Sequence, residues 1–322
     1  MKMKNIPILS TLSILVFLLL SCSTPYTSFK TMNTFDDLDY SLPVKKVFLP
    51  ESGYQLAYSD DGTGNKTLLF IHGLGSYSQA WIRNIEMLKS EYRCIAIDLP
   101  GYGKSGKEPH DGGMPFYAGI IRELTEVLQL KNVYLAGHSM GGQIAITTHL
   151  LYPDLAKGLL LVAPAGFEPF HKGQRQWFRE VMTVDGVKLT TAEAIVNNLA
   201  SNFYRMPAEA DFMITDRMAM RTASDFEAYC YAVVQSVQGM VDYPVLPYLK
   251  DISIPTLIMF GENDNLIPNR YLNPGFTADI ARKGANLISG SKLVLVPECG
   301  HFMMFEKPEV FNSEACNFLN KY

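Results

Sequence analysis

Beyond about residue 45 the chain alternates short apolar runs with longer stretches whose apolar residues recur at helical spacing. Strands buried on both faces need such runs, and the amphipathic stretches between them have the character of crossover helices. The pattern predicts strands at 45–49, 54–59, 67–71, 93–98, 132–136, 158–163, 255–260 and 292–296, with helices at about 78–90, 115–129, 140–151, 270–283 and 307–320. Glu51-Ser52-Gly53 joins the first two strands too tightly for a crossover, so they form an antiparallel hairpin at one edge. The interval 165–245 has no strand pattern, and its Met, aromatic and charged residues at helical spacing predict a helical insertion. The expected class is α/β: a mostly parallel eight-stranded sheet with helices on both faces, its core (45–164 and 246–322) interrupted by a helical cap.

The N-terminus has a different pattern. Lys2 and Lys4 precede an apolar stretch from Ile6 to Leu20 that ends in Leu19-Leu20-Ser21-Cys22, the layout of a secretory signal. Pro7, Ser10, Thr11 and Ser13 make it a poor membrane-spanning helix. The segment resembles the lipobox of bacterial lipoprotein signals, which implies removal of 1–21, a lipid on Cys22 and a place on the cell envelope outside the cytoplasm. Residues 22–44, rich in Ser, Thr and Asp, are then expected to be a tether.

At 322 residues and 48% hydrophobic, the chain is long enough to bury a core without disulfides or metals. Its formal charge of −4, with no Lys/Arg cluster, argues against a nucleic-acid partner. The five cysteines lack metal-ligand spacing, so no metal site is expected.

Two glycine-rich strings mimic nucleotide sites. Gly101-Tyr102-Gly103-Lys104-Ser105-Gly106 follows a strand, but Pro109, Gly112 and Gly113 cannot open the helix that would hold a pyrophosphate. A phosphate-binding loop ending at Gly103-Lys104-Ser105 would need its first glycine where Asp98 stands.

Gly137-His138-Ser139-Met140-Gly141 lies between the strand at 132–136 and the helix at 140–151, where a strained turn would lift the Ser139 hydroxyl above the sheet edge. Serine needs a base to become a nucleophile. Of six histidines, His301 follows the last strand on a loop able to reach the sheet edge, whereas His138 should point away from Ser139. His72 opens a loop, and His110, His149 and His171 suggest only surface or packing roles. Asp264, after the strand at 255–260, is the expected carboxylate partner of His301, with Glu262 and Asp242 as competitors. The backbone N–H groups of Met140 and Leu74 are the expected oxyanion donors.

His72-Gly73-Leu74-Gly75, Asp98-Leu99-Pro100-Gly101, Gly137-His138-Ser139-Met140-Gly141-Gly142, Gly261-Glu262-Asn263-Asp264 and Gly300-His301 together resemble the α/β-hydrolase family, over about 45–322. The resemblance implies no metal and no organic cofactor. Serine at the elbow resembles the esterase and lipase branch. The cap supplies Trp177, Phe178, Met182, Phe203 and Met206 among other apolar residues, which suits a small apolar ester substrate. A cofactor-free C–C bond hydrolase, an acyltransferase and a non-catalytic binding module are the alternatives.

Overall fold

The computed structural model describes Tyr26 and residues 29–322. The expected signal segment and Cys22 lie outside the described residues. Among those described, no helix is long and apolar enough to cross a membrane.

Eight strands form one sheet: β1 (Lys45–Phe48), β2 (Gln55–Asp61), β3 (Thr67–Ile71), β4 (Arg93–Ile97), β5 (Val133–His138), β6 (Gly158–Val162), β7 (Thr256–Gly261) and β8 (Lys292–Val296). Their spatial order is β1-β2-β4-β3-β5-β6-β7-β8. Only β1/β2 and β2/β4 pair antiparallel, so the expected edge hairpin is present and the rest of the sheet is parallel. The central strands β3, β5 and β6 are buried along their whole length, as continuous apolar runs require.

Three helices belong to the first part of the core: α1 (Ile82–Leu88), α2 (Met114–Val127) and α3 (Met140–Leu151). A 3-10 turn at Ser78–Trp81 replaces the first turn of the helix expected at 78–90. Five helices fill the interval between β6 and β7: α4 (Lys172–Val181), α5 (Val184–Lys188), α6 (Ala192–Ala200), α7 (Asp211–Met220) and α8 (Phe226–Asp242). After β7 come α9 (Thr277–Leu287), α10 (Met303–Glu306) and α11 (Pro308–Lys321). The helix expected at 270–283 is displaced to Thr277–Leu287. Pro274-Gly275 cannot continue a helix, and the Asn269 side chain instead caps a turn by accepting from Tyr271 N (3.1 Å) and Leu272 N (3.0 Å).

The described part of the expected tether is not a tether. Phe35 and Leu38 are buried in the main core, and Met32 and Leu42 are buried as well. Met32 N donates to Thr222 Oγ1 (2.8 Å) and Phe35 N to Asp225 Oδ1 (3.1 Å), strapping this segment to the turn between α7 and α8. Tyr40 crosses to the sheet, its hydroxyl donating to Asp98 Oδ2 (2.6 Å). Apolar side chains that can be buried outweigh the segment's polar composition.

Candidate active site

Strand register gathers the candidate residues. β3 and β5 are parallel neighbours with Ile71 opposite Gly137, which places the loop from His72 beside the turn at Ser139. β7 and β8 end together with Gly261 opposite Val296, which brings the Asp264 loop to the His301 loop. All four loops leave the carboxyl ends of strands, where open α/β sheets bind ligands.

Ser139 has φ +53° and ψ −116°, a strained backbone that L-residues rarely adopt and that turns β5 sharply into α3. The flanking glycines are required by space. A Cβ on Gly141 would lie 2.2 Å from Ile71 O, and one on Gly137 would lie 2.2 Å from Gly141 O. Among the described residues the half-buried Ser139 side chain has no hydrogen-bonded partner, a looseness common before a substrate tightens a site.

His301 is 3% exposed, and its Nδ1 lies 2.7 Å from Asp264 Oδ2. A carboxylate can only accept, so Nδ1 carries the proton and Nε2 is the nitrogen left to accept one. The other oxygen of Asp264, Oδ1, accepts from Leu266 N (2.7 Å) and Ile267 N (3.0 Å), which fixes the carboxylate plane. Burial separates Asp264 from its competitors: Glu262 is exposed, and Asp242 pairs with Arg179 on the cap.

Leu74 and Met140, the expected oxyanion donors, both lie beside the Ser139 turn. Met140 is the first residue of α3, where a backbone N–H has no partner inside its helix. Leu74 follows Gly73, on which a Cβ would sit 3.1 Å from Ser139 Cβ, so its loop runs directly beside the Ser139 turn. His72 holds that loop: Leu99 N donates to His72 Nε2 (3.1 Å), and the Nδ1–H donates to Gly73 O (2.8 Å). Burial lowers the His72 pKa, keeping it neutral and suited to this accepting and donating role.

His138 is closer to the chemistry than its place in the sequence suggests. Rather than pointing away, it lines the same cavity as Ser139, with its ring centroid 4.7 Å from that of His301 and 4.6 Å from Phe302. Its Nε2–H donates to His301 O (3.0 Å). Burial, reinforced by the neighbouring His301, pushes its pKa well below the usual histidine value, so it serves as a neutral support for His301.

Two carboxylates acquire roles that no side-chain pattern announces, because most of their partners are backbone N–H groups. Glu306 accepts from Gly300 N (2.8 Å), Tyr204 N (3.1 Å) and Arg205 N (2.7 Å), joining the His301 loop to the cap. Asp98 accepts from Ser78 N (2.8 Å) and Lys104 N (2.8 Å), and Gly103 leaves room for it because a Cβ there would lie 2.2 Å from Asp98 Oδ2. The glycine-rich string thus wraps a buried aspartate.

Ser139, His138, His301 and Leu74 line a cavity of about 360 Å³ together with Phe170, Phe178, Met182, Val237 and Met240. Its lining residues include no Lys or Arg. Arg217 lines an adjoining chamber, where it donates to Gly75 O and lies 5.0 Å over the Tyr229 ring. Among the described residues no group of His, Cys, Asp and Glu could hold a metal ion.

Known proteins share this architecture. The chain is 26% identical over 279 residues to a 2-hydroxy-6-oxononadienedioate/2-hydroxy-6-oxononatrienedioate hydrolase of Escherichia coli O81 (strain ED1a), covering 82% of this chain and 91% of that one. A probable hydrolytic enzyme from Pseudomonas aeruginosa PAO1 superposes with a TM-score of 0.79 at 26% identity, over 90% of this chain and 98% of the other. A membrane phospholipase A, a bacterial virulence factor, superposes with a TM-score of 0.71 at 25% identity, over 87% of this chain and 86% of the other. The family model for the alpha/beta hydrolase fold matches residues 66–308, and with Ser139 on its strained turn and His301 paired to Asp264, the chain belongs to the α/β-hydrolase family of enzymes.

Proposed function

We propose that this enzyme cleaves carboxylic esters with apolar acyl or aromatic groups through an acyl-enzyme, held at a bacterial envelope membrane by lipid on Cys22. Ser139 attacks the ester carbonyl while His301 Nε2 takes its proton, and the imidazolium is stabilised by Asp264 across the 2.7 Å contact. The N–H groups of Leu74 and Met140 stabilise the oxyanion. The same imidazolium then protonates the leaving alcohol, and water, activated by His301, releases the acid.

The observation that carries the ester reading is the charge of the cavity. A dienedioate, the substrate class in the name of the Escherichia coli relative, brings two carboxylates. Here the cavity has no lining Lys or Arg, Arg217 lying in the adjoining chamber and donating to Gly75 O, and it contains Glu168, whose pKa burial raises above the ordinary carboxylate value. Burying further anions there would be costly, whereas an acyl chain meets apolar walls. The C–C bond hydrolases among the relatives support the second reading, cleavage of a vinylogous diketone by the same residues.

A panel of p-nitrophenyl esters of increasing chain length, run beside a 2-hydroxy-6-oxo-dienedioate, separates the two. Turnover of esters rising from acetate to medium chains is expected, with little turnover of the dienedioate; the reverse order would end the ester reading. For the anchor, Cys22→Ala is expected to move the protein from the membrane to the soluble fraction. Unchanged fractionation would mean that lipid on Cys22 is not what holds it.

A further inference from the structure

We propose that Glu168 and Gln143 form a hydroxyl-recognition subsite in the Ser139 cavity, selecting esters whose alcohol portion carries further hydroxyl groups. This rests on the ester-hydrolase reading and names the alcohol side of its substrate.

Both residues line the cavity, and each has a side-chain oxygen with no hydrogen-bond partner among the described residues. Glu168 is 7% exposed. Its Oε1 accepts from Asn269 N (2.9 Å) and Asn273 Nδ2 (2.7 Å), while Oε2 has no partner among the described residues. Gln143 is fully buried. Its Nε2 donates to Met240 O (3.0 Å) and Tyr243 O (2.9 Å), which fixes the amide's orientation and leaves Oε1 as a buried acceptor with no partner. Gln143 lies against Gly166, two residues before Glu168 in the chain: a Cβ on Gly166 would lie 3.3 Å from Gln143 Cδ.

This subsite is held rigidly next to the nucleophile. Ala165 N donates to Ser139 O (2.9 Å), and Phe167 is buried against Phe260 with ring centroids 6.0 Å apart. Glu168 follows directly on the chain, so its distance from the reacting centre is set by the fold.

Two acceptors without partners at one cavity ask for donors. A purely apolar alcohol would leave them desolvated and unpaired, and an anion would be repelled. An ammonium group would need a firmly ionised carboxylate, yet burial and the nearby Asp264 both push the Glu168 pKa upward. A hydroxyl can donate to the Glu168 carboxyl, which keeps an acceptor lone pair in either protonation state, and to the Gln143 carbonyl.

The test compares the glyceryl monoester and the n-propyl ester of one fatty acid, which differ only in two hydroxyl groups, on the purified full chain. The wild type is expected to prefer the glyceryl ester in kcat/KM by about 10- to 100-fold, carried mainly by KM. In Glu168→Ala that ratio falls to about one. If this variant fails to fold, Glu168→Gln keeps the two bonds at Oε1, replaces the free acceptor with a donor, and must still lower the ratio. A wild-type ratio near one, a ratio that neither variant changes, or preference for a 2-aminoethyl ester would each overturn the subsite. Hydrolysis of neither ester would instead overturn the ester reading beneath it.

Discussion

Ser139→Ala is expected to lower ester hydrolysis about 10⁶-fold and to abolish covalent labelling by a fluorophosphonate probe. The size follows from the arrangement acting as a unit, because in the proposed mechanism His301 and Asp264 serve only to move the serine proton and stabilise the charge left behind. What survives comes from the N–H groups of Leu74 and Met140 and from binding in the cavity. Alanine retains the Cβ that already tolerates φ +53°, so the variant should keep its fold and leave chemistry as the explanation of the loss. Single-turnover kinetics and mass spectrometry of the labelled protein check this. Labelling at another residue, or activity within about tenfold of wild type, would remove Ser139 from the proposed role.

The sheet and the cap were legible in the sequence because burial on both faces forces continuous apolar runs. The strand at 67–71 is present with those bounds, and the interval 165–245 holds helices and no strand. Ser139, His301 and Asp264 come to one sheet edge because each follows closely on the carboxyl end of a strand that the pattern reveals. The strap from Met32 to Leu42 was hidden by its Ser, Thr and Asp content, although Met32, Phe35, Leu38 and Leu42 recur every three or four residues. That spacing was the available signal, and it marks an apolar face needing a partner.

Other features were out of reach for a physical reason. Glu306 acts through backbone N–H groups, and Asp98 and Glu168 largely so; every residue but proline has such a group, so no side-chain pattern announces these partners. His138 looked remote because adjacent residues on a strand face opposite ways, but its sharp turn cancels that alternation and lays the ring against His301. Strand register supplies what composition cannot: it decides which loops share the sheet edge.

Asp264→Asn carries the second large expected effect, a fall in kcat of about 10⁴-fold with little change in fold. In the wild type Oδ1 accepts from Leu266 N and Ile267 N while Oδ2 faces His301 Nδ1. The two backbone donors would hold the oxygen of an asparagine, so its NH₂ group must turn toward the imidazole. A donor facing Nδ1 drives the proton to Nε2, the nitrogen that should take the proton of Ser139. The variant thus keeps the geometry and inverts the tautomer, which lowers kcat more than it raises KM. Glu262→Gln provides the contrast: Glu262 is exposed, two residues away on the same loop, and its neutralisation should leave kcat within about twofold. Steady-state kinetics on a single ester decides the matter. Near-full activity in Asp264→Asn together with loss in Glu262→Gln would transfer the role to Glu262 and leave the 2.7 Å contact as a purely structural bond.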